Sequence, residues 1–204
     1  MIYATWSDWL VSEIESVSVD GVSVWYLGCN GFVVRSRETT LYIDPYFGDG
    51  DPPALLRMIP VPMDPADATL CDAVLVTHEH LDHMHPPSID PLVTDDGRVV
   101  APTASFEQPD FGSGPVVPDD RRATVAPGDT FEIGDFTIHV GEAHDPDAIE
   151  PVTYVIEHDA GTVFHGGDTK PTAAFEALGE EFDLDVGILA FGSNGRIAGD
   201  GGPE

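Results

Sequence analysis

The heptapeptide THEHLDH at residues 77–83 constrains this chain more than any other feature of its sequence. It directly follows an apolar run, AVLV, which predicts a short buried strand. His78 and His80 are two residues apart, so an extended backbone would point both imidazoles to the same side. Asp82 and His83 follow as neighbours, and a turn there would let the loop reach two metal ions. Four such side chains at a strand end predict a metal site rather than a solvated polar loop.

Two later segments carry the same kinds of side chain after predicted strands. The segment GEAHD ends a strand that delivers His144, and the segment HGGDT ends another that delivers Asp168. In order and spacing, these segments and the HxHxDH motif resemble the signature of the metallo-β-lactamase superfamily of metal-dependent hydrolases. Three further segments resemble one branch, the ascorbate-6-phosphate lactonase-like proteins: WLVSEIE (9–15), WYLGCNG (25–31) and GSNG (192–195).

The resemblance implies a full set of site residues. One metal ion would be held by His78, His80 and His144, a second by Asp82 and His83, and Asp168 would bridge the two. His78, His80 and Asp82 are also the predicted catalytic residues. Nitrogen and oxygen donors without cysteine suit Zn²⁺, Mn²⁺ or Fe²⁺, so we expect one or two divalent ions of this kind as cofactors.

Asp44 and His85 flank this set in the sequence. The resemblance implies that Asp44 orients the metal loop from behind by holding an imidazole N–H. The dipeptide Asp-Pro is equally typical of a simple turn at the end of a strand, and both interpretations stay open here. We expect His85 to lie at the rim of the site, because the motif already supplies the coordination.

Hydrophobic alternation and turn signals predict antiparallel hairpins with helices between them. One hairpin is predicted around Gly134-Asp135 and another around residues 159–161. Near the start of the chain, a helix is predicted with Ser7 as its cap and Trp9 on its apolar face. The fold class is therefore α+β, and the resemblance implies a metallo-β-lactamase-like αββα sandwich of two mixed β-sheets with flanking helices.

Residues 1–204 are expected to form a single hydrolase domain that lacks its C-terminal part. The family pattern ends with one more ligand, a histidine after a further helix and strand, whereas no histidine follows His165 in this sequence. The stretch from residue 199 onward is rich in glycine, a composition that builds neither helix nor strand. We therefore expect the natural protein to continue past Glu204 and to supply the additional imidazole.

Charge is the extreme property of the composition. The chain has 37 acidic and 8 basic residues, a formal net charge of −29, and Lys170 is its single lysine. A dispersed acidic surface is typical of adaptation to a high-salt (halophilic) cytosol, where ions screen the repulsion. Such a surface argues against a nucleic-acid partner, which needs clustered Lys and Arg.

The sequence shows neither a signal peptide nor an apolar run long enough to span a membrane. We therefore expect a cytoplasmic protein without a membrane partner, and a homo-oligomer stays open. The two cysteines, Cys29 and Cys71, are too few for a disulfide framework and fit a reducing compartment.

These features together predict a lactonase-like hydrolase acting on a small molecule. It would use a metal-activated hydroxide on a lactone or a phosphorylated sugar-acid ester. A nuclease or phosphodiesterase of the same fold is one alternative, although the acidic composition counts against it. A non-catalytic metal-binding protein with a decayed second site is another, because the last histidine of the family pattern is absent from this sequence.

Overall fold

The computed structural model describes residues 4–48, 57, 59–93, 97–110 and 117–190. The predictions made for the segment 192–195 and for the glycine-rich end lie outside the described residues. Within the described ranges, no helix combines the length and the apolar character that a membrane span requires.

Two β-sheets form the centre of the structure. The first has six strands in chain order: β1 (Ser23–Gly28), β2 (Gly31–Arg35), β3 (Thr40–Ile43), β4 (Ala73–Leu75), β5 (Arg98–Ala101) and β6 (Arg122–Thr124). The pairs β1/β2 and β2/β3 are antiparallel, whereas β3 to β6 pair in parallel, so this sheet is mixed. Because β3 and β4 run in parallel, the residues that follow these two strands leave the same edge of the sheet.

The second sheet has the strand order β11-β10-β9-β8-β7. Its strands are β7 (Thr130–Ile133), β8 (Phe136–Glu142), β9 (Val152–His158), β10 (Gly161–His165) and β11 (Val186–Ile188). The hairpins predicted around Gly134-Asp135 and residues 159–161 are confirmed as β7/β8 and β9/β10. β11 pairs in parallel with β10, so the second sheet is mixed as well.

The two sheets pack face to face over an apolar core. Ala73 and Leu75 of β4 point into this core, whereas Val74 and the following Val76 point into a second core on the outer face of the first sheet. Burial on both faces explains why the run AVLV is continuously apolar. Other residues between the sheets include Leu41, Ile43, Val100, Ile138, Tyr154 and Ile156.

Helices lie on the outer faces of both sheets. α1 (Trp9–Ser16), α2 (Pro86–Ile89) and α3 (Thr103–Glu107) contribute to the core outside the first sheet, and α4 (Ala174–Glu181) lies outside the second. Two short 3-10 helices span Pro65–Asp67 and Asp119–Arg121. Phe175 of α4 packs edge-on against Phe164 of β10, with ring centroids 5.5 Å apart. The predicted αββα sandwich is confirmed.

Two local predictions near the start of the chain are wrong. Asp8, not Ser7, occupies the N-cap position of α1, and Ser7 has a φ of 54° in the preceding turn. Trp9 is 58% exposed, because α1 turns Leu10 and Ile14 toward the sheet instead. The helix and the burial of Leu10 and Ile14 were therefore predicted correctly, but its cap and the inward position of Trp9 were not.

Candidate metal centre

The metal-motif loop begins where β4 ends, and both sheets hold its first residue, Thr77. The Thr77 amide donates to Oδ1 of Asp44 at 2.8 Å, and the Thr77 carbonyl accepts from the amide of Val152 at 3.0 Å. Asp44 follows β3 and Val152 begins β9, so these bonds connect one residue of the loop to the two sheets. The loop is therefore anchored at the edge of the sandwich, between the sheets.

Asp44 is fully buried and has a φ of 44°, in the left-handed region. Its Oδ2 atom accepts from the Thr77 hydroxyl at 2.7 Å and from Nδ1 of His83 at 2.8 Å. Burial works to raise the pKa of Asp44, but the nearby His83 outweighs it and holds that pKa below its ordinary value. The carboxylate thus orients the loop and one imidazole, which a simple turn residue would not do.

Hydrogen bonds at Nδ1 decide which nitrogen of two histidines is left for a metal. The Thr77 hydroxyl donates to Asp44, so it accepts from Nδ1 of His78, which lies 2.9 Å away. Nδ1 of His83 is taken by Asp44, and in the part of the chain that the structure describes the buried Nε2 of His83 has neighbouring carboxylate oxygens only at 3.5 Å and 3.9 Å. In both rings Nε2 is therefore the atom that faces the site.

The first donor group consists of His78, His80 and Asp145. Nε2 of His78 and Nδ1 of His80 are 2.8 Å apart. Oδ2 of Asp145 lies 3.7 Å from the first of these nitrogens and 3.5 Å from the second. Three atoms that could each offer a lone pair therefore converge on one point.

The second donor group consists of His78, His83 and Asp168. Nε2 of His83 lies 3.5 Å from Oδ2 of Asp168 and 3.9 Å from Oδ2 of Asp82. The Asp82 side chain is 25% exposed and the Asp168 side chain 37%, so both carboxylates reach the open side of this group. His78 belongs to both groups, which places the two candidate metal positions side by side.

Burial and neighbouring charges move the pKa values of these groups apart. Burial, together with the charge of His83, lowers the pKa of His78 to about 2. Burial also works to lower the pKa of His83, but the carboxylates of Asp44 and Asp168 prevail and raise it well above its ordinary value. The pKa of Asp168 lies well below its ordinary range, because its contacts with His83 outweigh burial. These shifts favour the neutral form of His78 and, while no metal is bound, the protonated form of His83.

Asp168 reaches the site on a tight loop after β10. Gly167 has a φ of 57°, and a Cβ atom there would lie 2.8 Å from the Thr77 hydroxyl oxygen, so this position requires glycine. Nδ2 of Asn30 donates to Oδ1 of Asp168. The buried His165 ring donates from Nε2 to the Asn30 carbonyl at 3.0 Å, which fixes Asn30 in turn.

The structure brings together most, but not all, of the residues predicted from the sequence. His78, His80, His83 and Asp168 lie in the two donor groups, and Asp82 lies beside the second. The His144 ring is exposed and, among the described residues, belongs to neither group. The role of His144 as a ligand stays a prediction.

His85 differs from its predicted position at the rim. It is 4% exposed, and its Nδ1 atom lies 2.6 Å from the hydroxyl oxygen of Ser88 in α2. The Ser88 hydroxyl also accepts from the Phe47 amide. His85 therefore belongs to the packing behind the loop, because the chain turns into α2 directly after the motif.

Sequence reasoning missed three residues that shape the site. Asp145 directly follows His144 in the segment GEAHD, whose ligand the sequence pattern assigns to His144. Thr77 opens the heptapeptide, and only the fold reveals that its hydroxyl bridges Asp44 and His78. Asn30 lies in the turn between β1 and β2, and no spacing in the sequence connects it to Asp168.

The arrangement fits a divalent metal ion. Neutral imidazoles and ionised carboxylates are the ligands that such ions bind, and here three imidazoles and two carboxylates converge. Nε2 of the buried His83 lies 3.5 Å from Oδ2 of Asp168, which is longer than a good hydrogen bond and is compatible with a metal ion bound to both atoms. Further carboxylate and carbonyl groups hold the imidazoles from behind, as in known metal sites.

Comparison with known proteins agrees with the fold. The family model described as the beta-lactamase superfamily domain matches residues 39–191. The probable L-ascorbate-6-phosphate lactonase UlaG of Escherichia coli strain SMS-3-5 is 27% identical, and the match covers 95% of this chain and 67% of that protein.

Two solved structures share the fold at low sequence identity. One is a possible metal-dependent hydrolase from Veillonella parvula, with a TM-score of 0.61, 21% identity, and coverage of 84% of this chain and 71% of that one. The other is CmlA, a diiron beta-hydroxylase from Streptomyces venezuelae, with a TM-score of 0.56, 20% identity, and coverage of 84% and 34%. With the matched family model, these observations show that the chain belongs to the metallo-β-lactamase superfamily.

Proposed function

We propose that this protein is a metal-dependent hydrolase that cleaves a lactone or a phosphorylated sugar-acid ester. The observation that carries the proposal is the pair of donor groups that share His78, with Nε2 of the buried His83 facing the second group. The E. coli relative named as a lactonase supports the substrate class. The net charge of −29 supports a small-molecule substrate rather than a nucleic acid.

The proposed cofactors are one or two divalent ions of Zn, Mn or Fe. Their proposed ligands are the residues of the sequence pattern: His78, His80, Asp82, His83, His144 and Asp168. When bound, such ions lower the pKa of water and stabilise the negative charge that develops at a carbonyl or phosphoryl centre. Mixed nitrogen and oxygen donors are compatible with all three metals.

The protein's own contribution is to hold these donors in fixed directions. Asp44 holds Nδ1 of His83, and Thr77 holds Nδ1 of His78, so both rings are oriented before a substrate arrives. Asn30 restrains one carboxylate oxygen of Asp168, which leaves the other for the site. Asp82 is partly exposed and is the proposed catalytic carboxylate.

A substrate screen with matched variants tests the proposal. Purified protein, loaded separately with Zn²⁺, Mn²⁺ and Fe²⁺, is assayed against lactones, L-ascorbate 6-phosphate, phosphomonoesters and phosphodiesters. We expect hydrolysis in the lactone or sugar-acid arm, and its loss in His80→Ala. His139→Ala is the control, because His139 pairs with Glu157 on β9, and it should keep full activity.

Two other results of this substrate screen would each identify a different function. Turnover confined to phosphodiesters would replace the proposal with a phosphodiesterase. Stoichiometric metal binding without turnover in any arm would point to a metal-binding protein that is not an enzyme.

A further inference from the structure

We infer that Asp145 is a direct ligand of the metal ion held by His78 and His80. The inference rests on the proposed function, because it concerns the same site. The family pattern assigns the third position of this site to His144, the preceding residue. The inference places Asp145 where the proposed ligand set has His144: in the structure His144 is exposed, and the Asp145 carboxylate, only 12% exposed, faces the two imidazoles.

The spacing of the three donor atoms matches a metal coordination sphere. The nitrogen–nitrogen distance is 2.8 Å, and Oδ2 of Asp145 is 3.7 and 3.5 Å from the two nitrogens. Metal–ligand bonds of 2.0–2.1 Å at tetrahedral angles place neighbouring donors about 3.3 Å apart. The mean of the three observed distances is close to this value, so one small cation could bond all three atoms.

Hydrogen bonding leaves lone pairs on these three atoms. Nδ1 of His78 donates to Thr77, and Nε2 of His80 donates to the carbonyl of Asp147 at 3.3 Å. With both rings neutral, the ring nitrogens that face each other are acceptors, and the carboxylate beside them is a third. Three converging acceptors repel one another unless a proton or a metal cation lies among them, so this point is a position that a metal ion would stabilise.

The loop that carries Asp145 is built to aim its carboxylate. Oδ1 of Asp145 accepts from the amide of Asp147 at 3.1 Å, which forms an Asx turn and directs Oδ2 toward the histidines. The buried Glu79, between the two histidines of the motif, accepts from the Ile149 amide at 2.7 Å. The motif thus holds the loop at both the Asp147 carbonyl and the Ile149 amide.

A cysteine placed at position 145 tests direct contact without any activity assay. Asp145→Cys and Asp147→Cys variants are loaded with Co²⁺, and their near-ultraviolet absorption is compared with that of the wild type. A thiolate bonded to Co²⁺ gives an intense sulfur-to-metal charge-transfer band. We expect this band in Asp145→Cys and not in Asp147→Cys, whose side chain belongs to neither donor group. Metal-loaded Asp145→Cys without the band would overturn the inference.

Asp145→Asn supplies a second test, since its amide oxygen can keep the Asx turn while the charged donor is lost. We expect the first-site Co²⁺ affinity to fall by more than about 100-fold, beyond what losing an outer-shell partner costs. Asp147→Asn removes the same charge two residues away and should change the affinity by less than about tenfold. Equal affinities in the two variants would contradict the inference. A wild type that binds Co²⁺ but hydrolyses nothing would instead refute only the proposed function.

Discussion

Oδ2 of Asp44 lies 2.8 Å from Nδ1 of His83, and both side chains are completely buried. The same carboxylate accepts from the amide and the hydroxyl of Thr77. Asp44, directly after β3, therefore fixes both Thr77 and His83, the first and the last residue of the heptapeptide. The metal loop is held in shape by this contact before any ion binds.

Replacing Asp44 by asparagine should weaken the second metal position. Asparagine has nearly the same volume, but its single acceptor oxygen cannot serve both Thr77 and His83. We expect the metal affinity of this position to fall by about 10–100-fold, the usual effect of losing an outer-shell partner. Isothermal titration with Zn²⁺ measures it. Asp135→Asn is the control, because Asp135 lies in the turn between β7 and β8 and accepts a hydrogen bond from the Ser36 hydroxyl. An equal loss of metal affinity in Asp135→Asn would refute the specific role of Asp44.

Metal binding should release a proton from His83. The carboxylates of Asp44 and Asp168 raise the pKa of His83, so near neutral pH the ring is protonated until a metal displaces the proton from Nε2. Metal affinity should therefore fall as the pH falls, because protons then compete more strongly with the metal for Nε2 of His83. Calorimetric titrations in buffers of different ionisation enthalpy count the released protons. Binding enthalpies that do not depend on the buffer would contradict this prediction.

Gly167→Ala should destabilise the fold and the site together. The new methyl group would lie 2.8 Å from Oγ1 and 2.9 Å from Cβ of Thr77, and the residue would keep a φ of 57°. Strain of this kind costs about 1–3 kcal/mol. Urea unfolding measures the loss. Gly179→Ala in α4 is the control: its methyl group meets nothing within 4 Å, and it should raise stability by about 0.5–1 kcal/mol.

The residues that could be predicted from the sequence are those with a local signal. The run AVLV and the turns at Gly134-Asp135 and residues 159–161 carry such signals, and the corresponding strands are present. β6 (Arg122–Thr124) carries no such signal. It is three residues long and partly exposed, and its pairing partner, β5, lies some twenty residues earlier in the chain.

The face of an element depends on its partners, which local sequence does not reveal. In α1 the apolar residues allow either Trp9 or Val11 to point inward beside Leu10 and Ile14, and packing on the first sheet selects Val11. The same holds for His144 and Asp145. Which of these neighbours faces the metal motif is decided by contacts of the following residues with that motif.

Stability should rise with salt well beyond the concentration that screens ordinary surface ion pairs. The chain carries a net charge of −29, and bringing so many carboxylates together in one compact unit costs free energy that counter-ions reduce. Thermal unfolding followed by circular dichroism, from low to multimolar KCl, should show a steadily rising Tm. A constant or falling Tm would argue against a protein adapted to a high-salt cytosol.

The central claim is that hydrolysis depends on metal held by these two donor groups. The most direct measurement is hydrolysis as a function of added metal, after all metal has been removed with a chelator. We predict no turnover in the stripped protein and activity that returns in proportion to the first one or two equivalents. In Asp168→Asn neither metal nor activity should be recovered in full, since this carboxylate is the proposed bridge. Full hydrolysis without metal, or in Asp168→Asn, would contradict the account.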